Sequence, residues 1–223
     1  GGVWGREEWV GGVGGVGEVV GLGREGAEWA GWRGGAGDRR RGAGERGGFL
    51  PLGGVAREAG LLAFHTPRDA STRHMADAAL FREMKPGATV INSSRGEVVD
   101  GEALAASGLQ WVLDVWEHEP QIDARLLDRA LLATPHIAGY SQQGKANATA
   151  MTVATLSCLF DLPLEGWYPP QVAPCTPRPI SWEELCATIG EAYDIEAESR
   201  LLKSRPGDFE ALRDHYAYRK EYF

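Results

Sequence analysis

The first 48 residues contain no Ser, Thr, Asn, Gln, Lys, His, Pro, Cys, Met, Ile or Tyr. They are built almost wholly from Gly, Val, Arg, Glu, Ala and Trp, and they hold most of the chain's 31 glycines and half of its eight tryptophans (Trp4, Trp9, Trp29, Trp32). Glycine inside a helix costs about 1 kcal/mol relative to alanine, so this density excludes a stable helix. Other absences bear on the whole chain of 223 residues. No run of about 18 apolar residues occurs, which excludes a membrane-spanning helix, and the first residues lack the apolar core of a secretory signal. Cysteine is scarce. Cys158, Cys175 and Cys186 stand far apart without metal-ligand spacing, which points to a reducing, cytoplasmic setting and no metal. Positive charge is not in excess either: 23 Lys and Arg against 31 Asp and Glu leave a net charge of -8, which argues against nucleic acid as a partner.

What is present suffices for a sizeable core, since 43% of residues are hydrophobic, and the length suits one large or two small domains. From about Gly48 the composition becomes ordinary. A short helix is expected over 50–59 and a buried strand over Leu61-Leu62-Ala63-Phe64. A helical segment follows over 69–84, carrying Met75, Leu80, Phe81 and Met84 at apolar spacing, and a strand over 88–92. The next helix starts at Asp100 and ends at Gly108, and a buried strand runs from Trp111 to Val115. Strands alternating with helices of this length imply an α/β fold, a Rossmann-like parallel sheet with helices on both faces. After Tyr140 the pattern changes to a long helix ending at Phe160, a proline-rich linker over 162–178, and an α-rich tail. In that tail Ser181-Trp182-Glu183-Glu184 opens a helix in the manner of a capping box. Helical character continues through 192–202, and a last helix is expected over 209–222.

The stretch from Trp111 to Tyr140 carries the chemistry. One strand ends in an acidic turn with Glu119, and a second short strand ends at Pro135-His136. Ligands of open α/β sheets sit outside the carboxyl ends of the strands, so both side chains are expected at one crevice. A carboxylate beside an imidazole fixes its tautomer and orients it as a proton donor and acceptor.

The glycine-rich start contains Gly12-Val13-Gly14-Gly15-Val16-Gly17, which satisfies G-x-G-x-x-G, and Asp38 follows at the distance of a ribose-binding acid. Such a loop brings backbone N–H groups to a pyrophosphate. No convincing strand precedes it and no amphipathic helix follows it. A second account of 1–48 is out-of-frame translation of a GC-rich gene: shifted by two bases, the codons of residues 4–10 permit a Gly-Ala-Gly-Gly-Val-Gly loop. On either account 1–48 is read as the degraded start of a dinucleotide-binding domain.

Phe64-His65-Thr66-Pro67, Lys85-Pro86-Gly87-Ala88, Ile91-Asn92-Ser93-Ser94-Arg95-Gly96, Leu113-Asp114-Val115-Trp116, Glu119-Pro120 and Thr134-Pro135-His136-Ile137-Ala138-Gly139-Tyr140 succeed one another in an order that resembles the D-2-hydroxyacid dehydrogenases. The likeness covers about residues 50–223. Gly144-Lys145, Ala192-Tyr193-Asp194-Ile195, Pro206-Gly207-Asp208-Phe209 and Leu212-Arg213-Asp214-His215-Tyr216 are similar to one branch, the one that oxidises 4-phosphoerythronate in bacterial vitamin B6 synthesis. The resemblance implies NAD as cofactor, a small phosphorylated 2-hydroxy acid as substrate, and a homodimer built through the tail from about residue 179. It implies that Arg95 holds the substrate carboxylate, that His136 takes the 2-hydroxyl proton, and that Glu119 orients His136. Thr66, Asp114 and Gly139 then face the cofactor, and Tyr140 reaches the substrate.

Each side chain also has a plainer reading: a surface ion pair for Arg95, a satisfied core histidine for His136, a capping acid for Glu119, a turn cap for Asp114, packing for Tyr140 and strand-end packing for His65. His74, His118 and His215 read as surface. A phosphoglycerate- or glyoxylate-type dehydrogenase and a non-catalytic remnant that only dimerises are the alternatives. Family members carry a substrate lobe ahead of the cofactor loop, so this chain is expected to turn over little by itself.

Overall fold

The computed structural model describes residues 19–23, 52–175 and 180–221. Gly12, Gly14, Gly17 and Asp38 therefore lie outside the described residues. The chain divides into two compact units. The larger comprises, among the described residues, 19–23, 52–138 and 195–214; the smaller comprises 139–175, 180–194 and 215–221.

The larger unit is built on five parallel strands in chain order: β1 (Val19–Gly23), β2 (Leu61–His65), β3 (Thr89–Asn92), β4 (Gln110–Leu113) and β5 (Leu132–Ala133). The register is fixed by pairs such as Leu62–Val90, Val90–Trp111 and Leu113–Ala133. Helices α1 (Leu52–Glu58), α2 (Ala78–Glu83), α3 (Gly101–Ala106) and α4 (Ala124–Arg129) precede or join these strands. Crossovers between parallel strands are right-handed, so successive connections in one direction lay α2, α3 and α4 side by side. The contacts of α1 with α2, α2 with α3 and α3 with α4 agree. Leu62, Ala63 and Phe64 are consecutive, hence on opposite faces, and all are buried, so β2 is covered on both sides, as parallel strands require.

The core is closed by aromatic residues whose polar atoms are satisfied. Trp111 is 1% exposed and its indole N–H donates to the Leu126 carbonyl at 2.8 Å. Trp116 is 4% exposed and donates to the Thr134 carbonyl at 3.0 Å. Helix starts are specified locally: the Asp77, Asp100 and Asp123 carboxylates cap α2, α3 and α4 by accepting from Leu80, Ala103 and Arg125 N–H.

Three expected helices are shorter than their periodicity suggests. Over 69–84 only α2 is helical, because Asp69 accepts from Ser71 and Thr72 N–H and forms a turn instead. The tail breaks at Tyr193-Asp194, separating α6 (Trp182–Ala192) from α7 (Ile195–Ser204). The last helix, α8 (Phe209–Asp214), ends at residue 214. The tail is also divided between the units. Helix α7 packs on β5, where the Ser199 hydroxyl accepts from Ala133 N–H and the Lys203 ammonium donates to the Ala130 carbonyl.

The smaller unit contains α5 (Gln142–Phe160) and α6. Ser141 and Ser181 cap their N-termini by accepting from Gly144 and Glu184 N–H. Among the described residues no helix is long and apolar enough to cross a membrane.

Candidate active site

The carboxyl ends of β3, β4 and β5 are neighbours in the sheet, and each delivers one predicted residue. After β3, the Asn92 side chain shapes the loop. Its amide donates to the Arg95 carbonyl at 2.8 Å, and its carbonyl accepts from the Ser94 N–H and hydroxyl at 3.1 and 2.8 Å. Arg95 is exposed, and its guanidinium donates back to the Ser94 carbonyl at 2.6 Å. It borders an open groove of about 580 Å³ lined by His65, Thr66, Pro67, Ser93, Ser94 and Arg95. Thr66 thus lines the same groove as Arg95, and its hydroxyl points to the Met75 sulfur at 3.7 Å.

Beyond Arg95 the backbone of Gly96 lies against the turn that follows β4. A Cβ there would overlap the Trp116 carbonyl and the Glu117 nitrogen, so only glycine permits the approach. The loop bearing Arg95 and the turn bearing Glu119 are therefore in direct backbone contact.

Glu119 folds back within its turn. Its Oε1 accepts from the Trp116 N–H at 2.8 Å, and its Oε2 meets His136 Nδ1 at 2.8 Å. The Glu119 and His136 side chains are 20% and 23% exposed, partly sheltered yet open to a small molecule. The geometry makes Nδ1 the donor to Glu119 and leaves Nε2 available. His136 adopts a left-handed backbone, φ 58°, uncommon for residues other than glycine.

What holds His136 there is Asp114. The Asp114 carbonyl accepts from the His136 N–H at 2.7 Å. Its carboxylate accepts from the Thr134 hydroxyl at 2.7 Å, the Ile137 N–H at 2.8 Å and the Ala138 N–H at 3.1 Å. Asp114 is 7% exposed and its carboxylate braces the histidine loop. Asn92 as a loop builder was missed at the sequence level; its polarity at the end of an apolar strand was the available signal, the one that also marks Asp114 as a turn cap.

In the smaller unit, Tyr140 packs edge-on against Tyr218 with ring centroids 5.3 Å apart, and Lys145 Nζ lies 4.3 Å above the Tyr140 ring. Gly139 has open space where a Cβ would stand.

Gly12, Gly14 and Gly17 precede β1 (Val19–Gly23) and lie, with Asp38, outside the described residues. The spacing Gly21-Leu22-Gly23-Arg24-Glu25-Gly26 satisfies the same motif.

His65 is more than one-third exposed, yet desolvation against its neighbours lowers its pKa below the ordinary histidine value. The unfolded chain then binds the extra proton more readily, so this small stabilisation is present above pH ~6.5 and is lost as pH falls from there through the folded pKa. Replacing His65 by Gln is expected to flatten that acid-side loss in a series of thermal midpoints between pH 5 and 7.5.

A parallel sheet with its polar groups gathered at the strand tips, an acid–imidazole pair among them, has the architecture of the Rossmann class, whose ligands sit outside the carboxyl ends of the strands. The chain belongs to the D-isomer specific 2-hydroxyacid dehydrogenases: that family's NAD-binding domain matches residues 12–138, so NAD is the cofactor. It is 41% identical over 186 residues to erythronate-4-phosphate dehydrogenase of Bacteroides fragilis, covering 78% of this chain and 52% of that one. To the enzyme of the same name from Cronobacter sakazakii it is 37% identical over 201 residues, covering 82% and 53%. The chain thus spans about half the length of the curated relatives it matches. Among solved structures, holo D-mandelate dehydrogenase of Rhodotorula graminis is similar, with a TM-score of 0.54 at 26% identity over 63% of this chain and 47% of that one. D-lactate dehydrogenase with NAD+ from Lactobacillus jensenii shares the fold, with a TM-score of 0.52 at 23% identity over 65% and 53%.

Proposed function

We propose that this chain carries the cofactor domain and the acid–base pair of an NAD-dependent dehydrogenase that oxidises 4-phospho-D-erythronate to 3-hydroxy-2-oxo-4-phosphooxybutanoate, a step of pyridoxal 5'-phosphate synthesis. The observation that carries the reading is the 2.8 Å contact between Glu119 and His136 at the strand tips, in a chain whose relatives from Bacteroides fragilis and Cronobacter sakazakii are named for that substrate.

Arg95 holds the substrate carboxylate and 2-oxygen with its planar guanidinium, exchanging its hydrogen bond to the Ser94 carbonyl for two to the oxyacid. His136 Nε2 accepts the 2-hydroxyl proton, and Glu119 keeps the other ring nitrogen protonated and balances the charge that develops. NAD, when bound, supplies the acceptor for the hydride that leaves C2. Gly12, Gly14, Gly17, Asp38, Thr66, Asp114 and Gly139 are assigned to the cofactor, and Asp114 also supports the histidine loop. Tyr140 is assigned to the substrate, and the functional particle is a cytoplasmic homodimer.

The test is titration with NAD, followed by the fluorescence of the eight tryptophans. Saturable quenching is expected. A flat titration of the folded chain would instead favour a remnant that has lost the cofactor.

A further inference from the structure

The turn after β4 carries two acids, and each meets its own histidine. Glu119 faces His136. Glu117, two residues earlier, faces His74, with Oε1 at 2.6 Å from Nε2. The other Glu117 oxygen accepts from the Gly101 N–H at 2.9 Å, at the start of α3. Glu117 is the more sheltered partner, with 17% of its side chain exposed against 33% for His74.

The surroundings of this second pair are built rather than incidental. The His74 N–H donates to the Glu97 carbonyl at 2.7 Å, on the loop that follows Arg95. Its Nδ1 lies 4.0 Å from the Asp100 carboxylate, which itself caps α3. A Cβ on Gly101 would press on the Leu126 side chain at 2.9 Å and on the Glu117 carboxylate at 3.1 Å. His74 and His118 both adopt left-handed backbones, at φ 48° and 61°. His118 separates the two acids.

We infer that Glu117 and His74 are positioning residues: they pin the turn to α3 and to the Arg95 loop, and so set Glu119 at hydrogen-bond distance from His136. The inference rests on reading Glu119 and His136 as the acid–base pair. Glu117 touches neither substrate nor cofactor in this account; it acts through Glu119. The rationale is mechanical. The turn after β4 is located ahead of Glu119 by the Gly96 contact and by the Trp116 indole N–H on the Thr134 carbonyl. Glu117 adds the tie to α3; without it Glu119 keeps the Trp116 N–H, which orients its side chain, but the stretch between Trp116 and Glu119 loses its hold on α3.

The two pairs can be read separately by NMR of the imidazole nitrogens in the 15N-labelled chain. In the wild type, the His136 Nδ1 proton bonded to Glu119 gives a downfield, exchange-protected resonance, and His74 shows the Nε2–H form. Glu117→Ala is expected to lose the His136 resonance. Glu117→Gln is expected to keep it, because the amide oxygen still accepts from Gly101 N–H. Its NH2 group then faces His74 and shifts that ring to the Nδ1–H form. Val55→Ala, a core truncation on α1, controls for general loosening and is expected to leave both signals in place. A Glu117→Ala chain that keeps the His136 resonance unchanged would overturn the inference, as would its loss in Val55→Ala to the same extent. NAD titration of the same samples reads the proposed activity independently, so the two failures are told apart.

Discussion

Exchanging His136 for asparagine is expected to lower the rate of hydride transfer by about 10²–10⁴-fold, the range that one positioned acid–base group contributes. The measurement is made on the chain joined to the half of the Bacteroides fragilis relative that it does not span, with 4-phosphoerythronate and NAD in single turnover. Asparagine can still donate to Glu119 from its amide, so the loop held by Asp114 keeps its hydrogen bonds and the loss is chemical. NAD binding should change little, because His136 meets the cofactor only through the reacting carbon. Equal loss of cofactor binding and of rate would mean that the loop had collapsed.

Asp114→Ala is expected to do what His136→Asn does not. It strips one acceptor from three donors at once: the Thr134 hydroxyl and the Ile137 and Ala138 N–H groups. A buried donor left unsatisfied costs roughly 1–3 kcal/mol, and partial access of water to the loop offsets some of the sum. The expected loss is about 3–5 kcal/mol in denaturant unfolding, with an unchanged m-value if the transition stays two-state. Asp114→Asn keeps one carbonyl acceptor and is expected to lose less than half as much. A loss under about 1 kcal/mol for Asp114→Ala would show that the loop does not depend on this carboxylate.

These two substitutions divide the site into chemistry and scaffold, and the sequence displayed the first better than the second. The strand-end positions of Arg95, Glu119 and His136 were legible because the motifs that end these strands place them. The sheet was legible for the same reason: apolar runs such as Leu61 to Phe64, bounded by polar tips, leave little choice but a covered parallel strand. What escaped was local competition between side chain and backbone. Met75, Leu80, Phe81 and Met84 keep helical spacing, yet Asp69 captures the Ser71 and Thr72 N–H groups and delays the helix to Ala78. His74 read as a surface residue because its partner, Glu117, is distant in sequence and meets it only once β4 is in place. The bracing of the histidine loop by Asp114 was only partly visible, because a strand-end acid beside a crevice can both cap a turn and face a ligand, and sequence spacing does not tell the two apart.

The central claim is that Arg95, Glu119 and His136 serve one carbon. Its most direct test is the mass of the reduced cofactor formed from 4-phosphoerythronate deuterated at C2, using the same joined chain. Deuterium carried to NADH, with transfer nearly abolished in His136→Asn, is the predicted result. NADH formed without deuterium, or deuterium transfer undiminished without the imidazole, would contradict it.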